Sequence, residues 1–347
     1  MDIKYLVLRT AFETLWMTRI AQMVRMTSRA RGAIFTLHRV VPEAPADFSP
    51  NSILQITPDF LEYFIIRIRQ LGYEIVPLDE ALERTASHEA KQRFAVLTFD
   101  DAYRDNLTHA LPILRKYKAP FTLYVPTAFV DGIGEVWWQL LEDVIAEQNA
   151  IAVPDTKGAI TYLETKSQAQ KQAAYKKLYW DMRAMPNPRR VAVIRELGER
   201  YGIDASAHCR SLIMDWSELQ TFAGEPLCTI GAHTVRHYEL STLTEPEALS
   251  EMQQSAQVLE AQFGERPRHL SYPIGAKISA SEREFALAGQ AGFTSAVTTR
   301  PGALYYRHRD QFLSLPRISL NGHFQTPRYV DVFAAAAVFT TASSLLG

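Results

Sequence analysis

Short, uninterrupted hydrophobic runs alternate along this chain with longer segments in which apolar positions recur every three or four residues. "GAIFTLHRVV" (32–41) reads as a buried strand. "PDFLEYFIIRIRQLGYEIVPLDEALE" then predicts a helix, a break at Gly72, a short strand over Glu74–Val76 and a new helix. "FAVLTFDD" is the next strand, "NLTHALPILRKYK" the helix after it, and "PFTLYVPTAFV" a further strand opened by Pro120. Such alternation points to a parallel α/β fold, open or closed into a barrel.

The rhythm changes over about 136–217. There the pattern becomes helical and charged, as in "KSQAQKQAAYKKLYWDMRAM" and "RRVAVIRELGERYG", with "MPNP" as a breaker. Strands resume with "CTIGAHT", "HLSYPIG", "FTSAVTT" and "LSLPRISL". The reading is one barrel-like domain over 31–325, interrupted by a helical insertion at 136–217. Residues 1–30 precede it as an amphipathic helix, in which Leu8, Phe12, Leu15, Ile20, Met23 and Val24 recur at helical spacing. That helix packs on the body of the protein or docks peripherally on a membrane surface. Residues 326–347, with "VFAAAAVFTTASSLLG", form a last helix too short to cross a bilayer.

Composition narrows this picture. Of 347 residues, 47% are hydrophobic and 22% charged, as in globular proteins, and 37 basic residues against 38 acidic ones leave a net charge of -1. That balance offers no electrostatic reason to expect a nucleic-acid partner. Cys209 and Cys228 have neither CxxC spacing nor a disulfide framework around them. Lys4, Arg9, Glu13 and Arg19 interrupt the first apolar stretch, so neither a signal peptide nor a transmembrane helix is expected there. The expected location is the cytoplasm, at or near its membrane face.

In parallel α/β folds functional groups gather at the carboxyl ends of strands. Asp100 and Asp101 end one strand, although either could instead cap the following helix. His233 and His237, four apart, follow the strand "CTIGA". If the chain turns helically there, both imidazoles face one side and can grip one metal ion; with nine histidines in the chain, a chance pair is not rare. One carboxylate with two histidines supplies three ligands and leaves positions open for water and substrate, while the second carboxylate can take a proton. That combination describes metal-assisted hydrolysis. The donor set favours zinc and also accepts cobalt, nickel or manganese.

"LTFDDAYRDN", "MDWSEL" (214–219), "IGAHTVRH", "YPIGA" (272–276) and "LPRISLNG" (315–322), in this order, resemble the polysaccharide deacetylase family, also called the NodB homology domain or carbohydrate esterase family 4. The resemblance spans roughly 34–322. It implies an irregular (β/α)7-type barrel and metal-dependent removal of N-acetyl groups from amino-sugar oligomers, polysaccharide or glycolipid. By the same resemblance Asp100 matches the general base, and Asp101, His233 and His237 the metal triad. The backbone N–H of Ile274 would hold the oxyanion, with Tyr272 and Pro273 beside the substrate.

Departures from the family pattern stand beside these matches. Its usual glycine after the aspartates is Ala102, where a left-handed backbone would be strained. Ser271 takes the place of an arginine and Ile274 that of a tyrosine. The acid that protonates the leaving amine has no clear counterpart; His323 stands a few positions late. Arg317 could orient Asp100 or form an ordinary surface pair. His38 ends the first predicted strand, where it could face the same mouth as the metal, and reads first as structural. Trp137, Trp138 and Trp216 suit the core as well as a sugar face, and Asp215 and Glu218 read as a helix start. Two alternatives keep the barrel: a metal-dependent amidohydrolase acting on a non-sugar amide, and a catalytically inactive sugar-binding barrel. Oligomeric state is not legible.

Overall fold

The computed structural model describes residues 3–89, 92–154 and 159–340. Its centre is a ring of parallel strands. In chain order these are β1 (Gly32–Leu37), β2 (Tyr73–Ile75), β3 (Arg93–Asp100), β4 (Phe121–Val125), β5 (Cys228–Ala232), β6 (His269–Ser271), β7 (Ser295–Val297) and β8 (Ile318–Ser319). The spatial order is β7-β6-β5-β4-β3-β1-β8, and β2 pairs only with the first residues of β3. One further parallel bridge, Val297 to Leu315, joins β7 to the approach to β8 and closes seven strands into an irregular barrel. The (β/α)7 expectation is therefore met, with β2 as an added strand at the base.

Both faces of these strands are covered, which is why they read as continuous apolar runs rather than alternating ones. All six residues of β1 are buried. Phe35, Leu37, Leu97, Phe99, Phe121 and Leu123 belong to the large core between the barrel and its surrounding helices. Ile34, Phe94, Val96, Tyr124, Val297, Leu304 and Leu315 form a second, smaller cluster that fills the barrel. Tyr124 fits because Gly231 lies against its ring, where a Cβ would meet ring carbons at 2.5 Å. Towards the carboxyl ends the buried side chains become polar: Thr36, Thr98, Asp100, Ser271 and Arg317.

Between β4 and β5 run the helices Trp137–Glu147, Gln168–Ala184, Asn187–Arg200 and Ala205–Leu212. The insertion is mainly helical, as expected, with one departure: Ala150–Pro154 and Ile160–Glu164 pair as an antiparallel hairpin. Five-residue strands of this kind lie below the length at which a helical period can be distinguished. Asp215 and Glu218 form a reciprocal capping box at Trp216–Ala223, as expected.

The N-terminal segment is two helices rather than one, α1 (Ile3–Met17) and α2 (Ile20–Thr27). The break falls at Arg19, whose φ is 58°. Phe12 anchors α1 among Phe324, Tyr329, Phe333 and Phe339, with ring centroids 4.9–5.8 Å away. The expected last helix is present as Tyr329–Ala334 and a turn over 337–340, while 341–347 lie outside the described residues. Both cysteines are free thiols.

Candidate active site

β3 delivers Asp100 into the barrel. Arg317 donates to it twice, Nη1 to Oδ1 at 2.8 Å and Nη2 to Oδ2 at 2.7 Å. Ser271 Oγ adds a longer bond to Oδ2 at 3.2 Å. Arg317 is itself held by the Thr298 carbonyl and the hydroxyls of Thr98 and Ser271, and is only 1% exposed. Burial works to raise the Asp100 pKa, but the charge and hydrogen bonds of Arg317 outweigh it and hold the carboxyl well below its ordinary range. The surface-pair reading of Arg317 therefore does not hold.

Asp101 leaves the strand with φ 75°, and Ala102 follows at 57°. This pair of left-handed residues swings the Asp101 carboxylate away from Asp100, so two adjacent acids have separate surroundings. Neither accepts a hydrogen bond from the turn that follows, so neither is a helix cap. Asp101 Oδ1 is buried with no hydrogen-bond partner. His233 Nε2 and His237 Nε2 each stand 3.4 Å from that oxygen.

The two histidines do not lie on a helical turn, the condition under which their spacing alone would set both on one side. They sit on a loop whose Thr234 (φ 61°) and His237 (φ 55°) are both left-handed. Thr234 Oγ1 accepts from the His237 N–H at 3.1 Å, and Glu251 Oε2 accepts from the N–H groups of Val235 and Arg236. These side-chain bonds replace the missing helical ones and bring the rings to a centroid separation of 4.7 Å. His233 Nδ1 meets the Ser271 carbonyl at 2.7 Å, which leaves Nε2 to face Asp101. Burial lowers the His237 pKa to about 3, so that ring is neutral, as a metal ligand must be. For His233 burial also acts downward, but the neighbouring carboxylates of Asp101 and Asp100 prevail and its pKa is raised.

The three ligand atoms lie within 4.8 Å of one another. Two donors about 2.1 Å from a tetrahedral ion stand about 3.4 Å apart. The spacing, the orphaned buried oxygen and the Asp/His/His chemistry all fit one divalent cation.

Other expected residues are scattered. Ile274 has φ 63°, and its N–H has no partner among the described residues. Gly275 beside it has φ 61° and a Cβ there would meet Thr299 N at 2.8 Å, so this turn requires glycine. Tyr272 is a correction: it points out of the barrel, fully buried, with its hydroxyl on the Leu313 carbonyl at 2.8 Å. Pro273 is buried too. Alternation along β6 sends Ser271 inward and its neighbour outward. His323 packs on Tyr5 of α1, ring centroids 4.2 Å apart, and no contact joins it to the three metal-site residues. Trp138 lies 5.1 Å from the His237 ring and donates to Tyr103 Oη, so it braces the site from the core.

His38 was read as structural, yet it sits at the mouth. Leu37 pairs with Phe99, so the next residue of β1 stands beside Asp100. A positive charge at that position would lower the pKa of both Asp100 and Asp101. Asn106 Nδ2 holds the His38 carbonyl at 2.8 Å, and Asp105 ties down Val40 N–H and Arg39. Its position at a strand end was the only sequence signal for it.

Comparison with known proteins agrees with this arrangement. The family model described as polysaccharide deacetylase matches residues 87–296. Over 268 residues the chain is 23% identical to YxkH of Bacillus subtilis (strain 168), a protein assigned by name to the polysaccharide deacetylases, covering 75% of this chain and 67% of that one. Two solved structures share the fold. The Streptococcus pyogenes deacetylase PplD in complex with acetate has a TM-score of 0.58 at 17% identity, covering 87% of this chain and 97% of its own. IcaB from Ammonifex degensii has a TM-score of 0.53 at 16% identity, covering 88% and 96%. With well over half of its length matched by the family model, the chain belongs to the polysaccharide deacetylase family, hydrolases that act on amide C–N bonds.

Proposed function

We propose that this protein removes N-acetyl groups from an amino-sugar oligomer, polysaccharide or glycolipid, with Asp101, His233 and His237 holding one divalent cation, zinc by preference of the donor set. The observation that carries the reading is the meeting of Asp101 Oδ1 with two imidazole nitrogens, each at 3.4 Å, beside an arginine-clamped second carboxylate. When bound, the cation would supply Lewis acidity to the amide carbonyl and lower the pKa of water at the site.

The remaining roles fall to the chain's own groups. Asp100, ionised across the physiological range, takes the proton of the attacking water. A carboxylate held so low is a weak base, which suits it only to an acidified water. The free N–H of Ile274 donates to the oxyanion that forms on the carbonyl. His38, next to Asp100, gives the proton that the departing amine needs. Arg317 orients Asp100 and keeps it charged.

The two N-terminal helices give the protein a docking face for an anionic membrane surface. Leu6, Val7, Trp16, Met17, Ile20, Met23 and Met26 are exposed there. The hydroxyls of Thr10, Thr14, Thr18 and Thr27 each donate to the carbonyl four residues earlier, so they need no water. Arg19 and Arg29 are exposed cations with no ion-pair partner among the described residues, whereas Glu13 is neutralised by Arg328. No helix among the described residues is long and apolar enough to cross a membrane. This face would therefore lie on a bilayer.

The catalytic reading is tested by stripping and restoring divalent metal while measuring acetate release from N-acetylglucosamine oligomers. Turnover should follow the metal and vanish in Asp101→Ala. Full activity without metal, or in that variant, would overturn it.

A further inference from the structure

His38 directly follows β1 and is half-buried, and its imidazole makes no hydrogen bond or ion pair with any described residue. The direction of the ring is therefore set by the backbone that carries it. That backbone is held from the turn after Asp101. Asn106 Nδ2 donates to the His38 carbonyl at 2.8 Å and to Asp105 Oδ1 at 3.1 Å. The same Asp105 oxygen accepts the Val40 N–H at 2.8 Å, and Oδ2 accepts from Arg39 Nε at 2.8 Å. Arg39 in turn lies over the Tyr103 ring, 5.1 Å from its centroid. Residues 38, 39 and 40 are thus each tied down by one of two adjacent side chains.

The element that carries these side chains is unusual. From Asn106 to Ala110 the chain winds as a π-helix, in which the Leu111 N–H meets the Asn106 carbonyl five residues back. Such windings are rare and recur at functional sites. Here the wide turn begins at the residue whose side chain reaches His38.

Both residues are shielded from water, Asn106 wholly and Asp105 with 9% of its surface exposed. An amide nitrogen carries two hydrogens, and here one goes to a carbonyl and the other to a carboxylate. A carboxylate at 106 would set an oxygen against two acceptors, so the bracket requires asparagine rather than aspartate. Neither Asp105 nor Asn106 makes a hydrogen bond or ion pair with Asp100, Asp101, His233 or His237. Their reach into the site runs through His38.

We propose that Asp105 and Asn106 are positioning residues for proton delivery to the leaving amine. They fix the backbone on both sides of His38, so that the imidazole stands beside Asp100 where the nitrogen departs. Misplacing such a group by about 1 Å can cost about 10²-fold in rate. The proton's destination rests on the reading of His38 as the acid; the coupling of Asn106 to His38 does not.

The test compares two substrates of the full-length protein, an N-acetylglucosamine oligomer and an aryl acetate whose leaving group needs no proton. Asn106→Ala and Asn106→Asp should each lower kcat on the oligomer about 10–100-fold with little change in KM. On the aryl acetate the loss should stay below about threefold. Asp105→Asn, which keeps an acceptor for the Val40 N–H, should lose less than Asp105→Ala. Adding Asn106→Ala to His38→Gln should cost nothing further on the oligomer, because both act through one group. Thermal unfolding checks that each variant is folded, and the isosteric Asp105→Asn carries the substrate comparison if the Asn106 variants do not fold. Equal losses on the two substrates in the Asn106 and Asp105 variants, or additive losses in the double variant, overturn the proposal. If His38→Gln itself slows both substrates alike while the double variant stays non-additive, the acid reading fails and Asn106 still positions His38.

Discussion

Arg317 and Asp100 form a two-pronged ion pair inside the barrel, Nη1–Oδ1 2.8 Å and Nη2–Oδ2 2.7 Å, with both side chains almost wholly shielded from water. The arginine arrives at the approach to the last strand and the aspartate at the end of the third, so the pair also ties the closing seam of the ring to a strand two places round it. Its geometry fixes the carboxylate plane, and its charge keeps the carboxylate ionised.

Replacing Arg317 with methionine leaves Asp100 buried with only the longer Ser271 hydrogen bond. Breaking such a pair costs about 3–5 kcal/mol at neutral pH. The pH dependence then changes sign. In wild type the folded pKa of Asp100 is depressed, so its contribution is present above the unfolded carboxylate pKa near 4 and is lost as pH falls through the lower folded value. In Arg317→Met burial, the largest influence on this carboxyl, is opposed only by the Ser271 hydroxyl and the nearby histidines and raises the folded pKa, so the variant's penalty shrinks as pH falls from 7 towards 5. Thermal unfolding of metal-stripped protein across that range measures it. A penalty independent of pH would show that Asp100 is not the group responsible.

Ala102 offers a separate test of strain at the site. Of the seven non-glycine residues with positive φ among those described, Asp101, Ala102, Thr234, His237 and Ile274 all belong to the site, leaving only Arg19 and Lys118 elsewhere. Alanine in this conformation costs about 1–2 kcal/mol, and glycine loses about 0.5–1 kcal/mol of that advantage through chain entropy. Ala102→Gly should therefore gain up to about 1 kcal/mol in chemical denaturation and keep its activity. A loss of stability would mean that the methyl, fully buried in the core, packs for more than the backbone strain takes away.

What could be read from the sequence follows the range of the forces involved. Asp100, Asp101, His233 and His237 were legible because strand ends in a parallel sheet converge whatever the loops do. Ala102 was legible because a Cβ in the left-handed region is costly anywhere. The shape of the His233–His237 loop was not legible: it depends on Glu251, fourteen residues beyond His237, whose reach back to the loop cannot be seen in local spacing. Arg317 could not be told from a surface arginine, because its burial depends on ring closure between Val297 and Leu315. Tyr272 and His323 were assigned by motif position alone, and side-chain direction decided against both.

His38 is expected to act at the leaving nitrogen, and the dependence on leaving group tests that role. His38→Gln should lower kcat about 10²–10⁴-fold on an N-acetylated sugar, whose amine must be protonated to depart. On an aryl acetate, whose leaving group departs as an anion, the loss should be far smaller. Asp100→Asn should slow both substrates alike, because each needs the attacking water deprotonated. Equal losses on the two substrates in His38→Gln would assign His38 to orientation of the aspartates rather than to proton transfer.

The exposed face of α1 and α2 makes a prediction about location that does not involve catalysis. Met17 and Met23 stand near the break at Arg19, where the two helices present apolar side chains without any exposed acid among the described residues. Burying one such side chain is worth roughly 1.5–3 kcal/mol, and each nearby cation adds about 1 kcal/mol at an anionic surface. Met17→Glu/Met23→Glu should therefore weaken cosedimentation with vesicles containing anionic lipid by well over tenfold. Arg19→Gln/Arg29→Gln should weaken it less and remove its salt dependence. Both variants should keep wild-type turnover on soluble oligomers, because the face lies on the helices outside the barrel. If the face is instead covered by a second copy of the chain, the glutamate variant will change sedimentation in solution and leave vesicle binding untouched, and a membrane role for these helices would then be untenable.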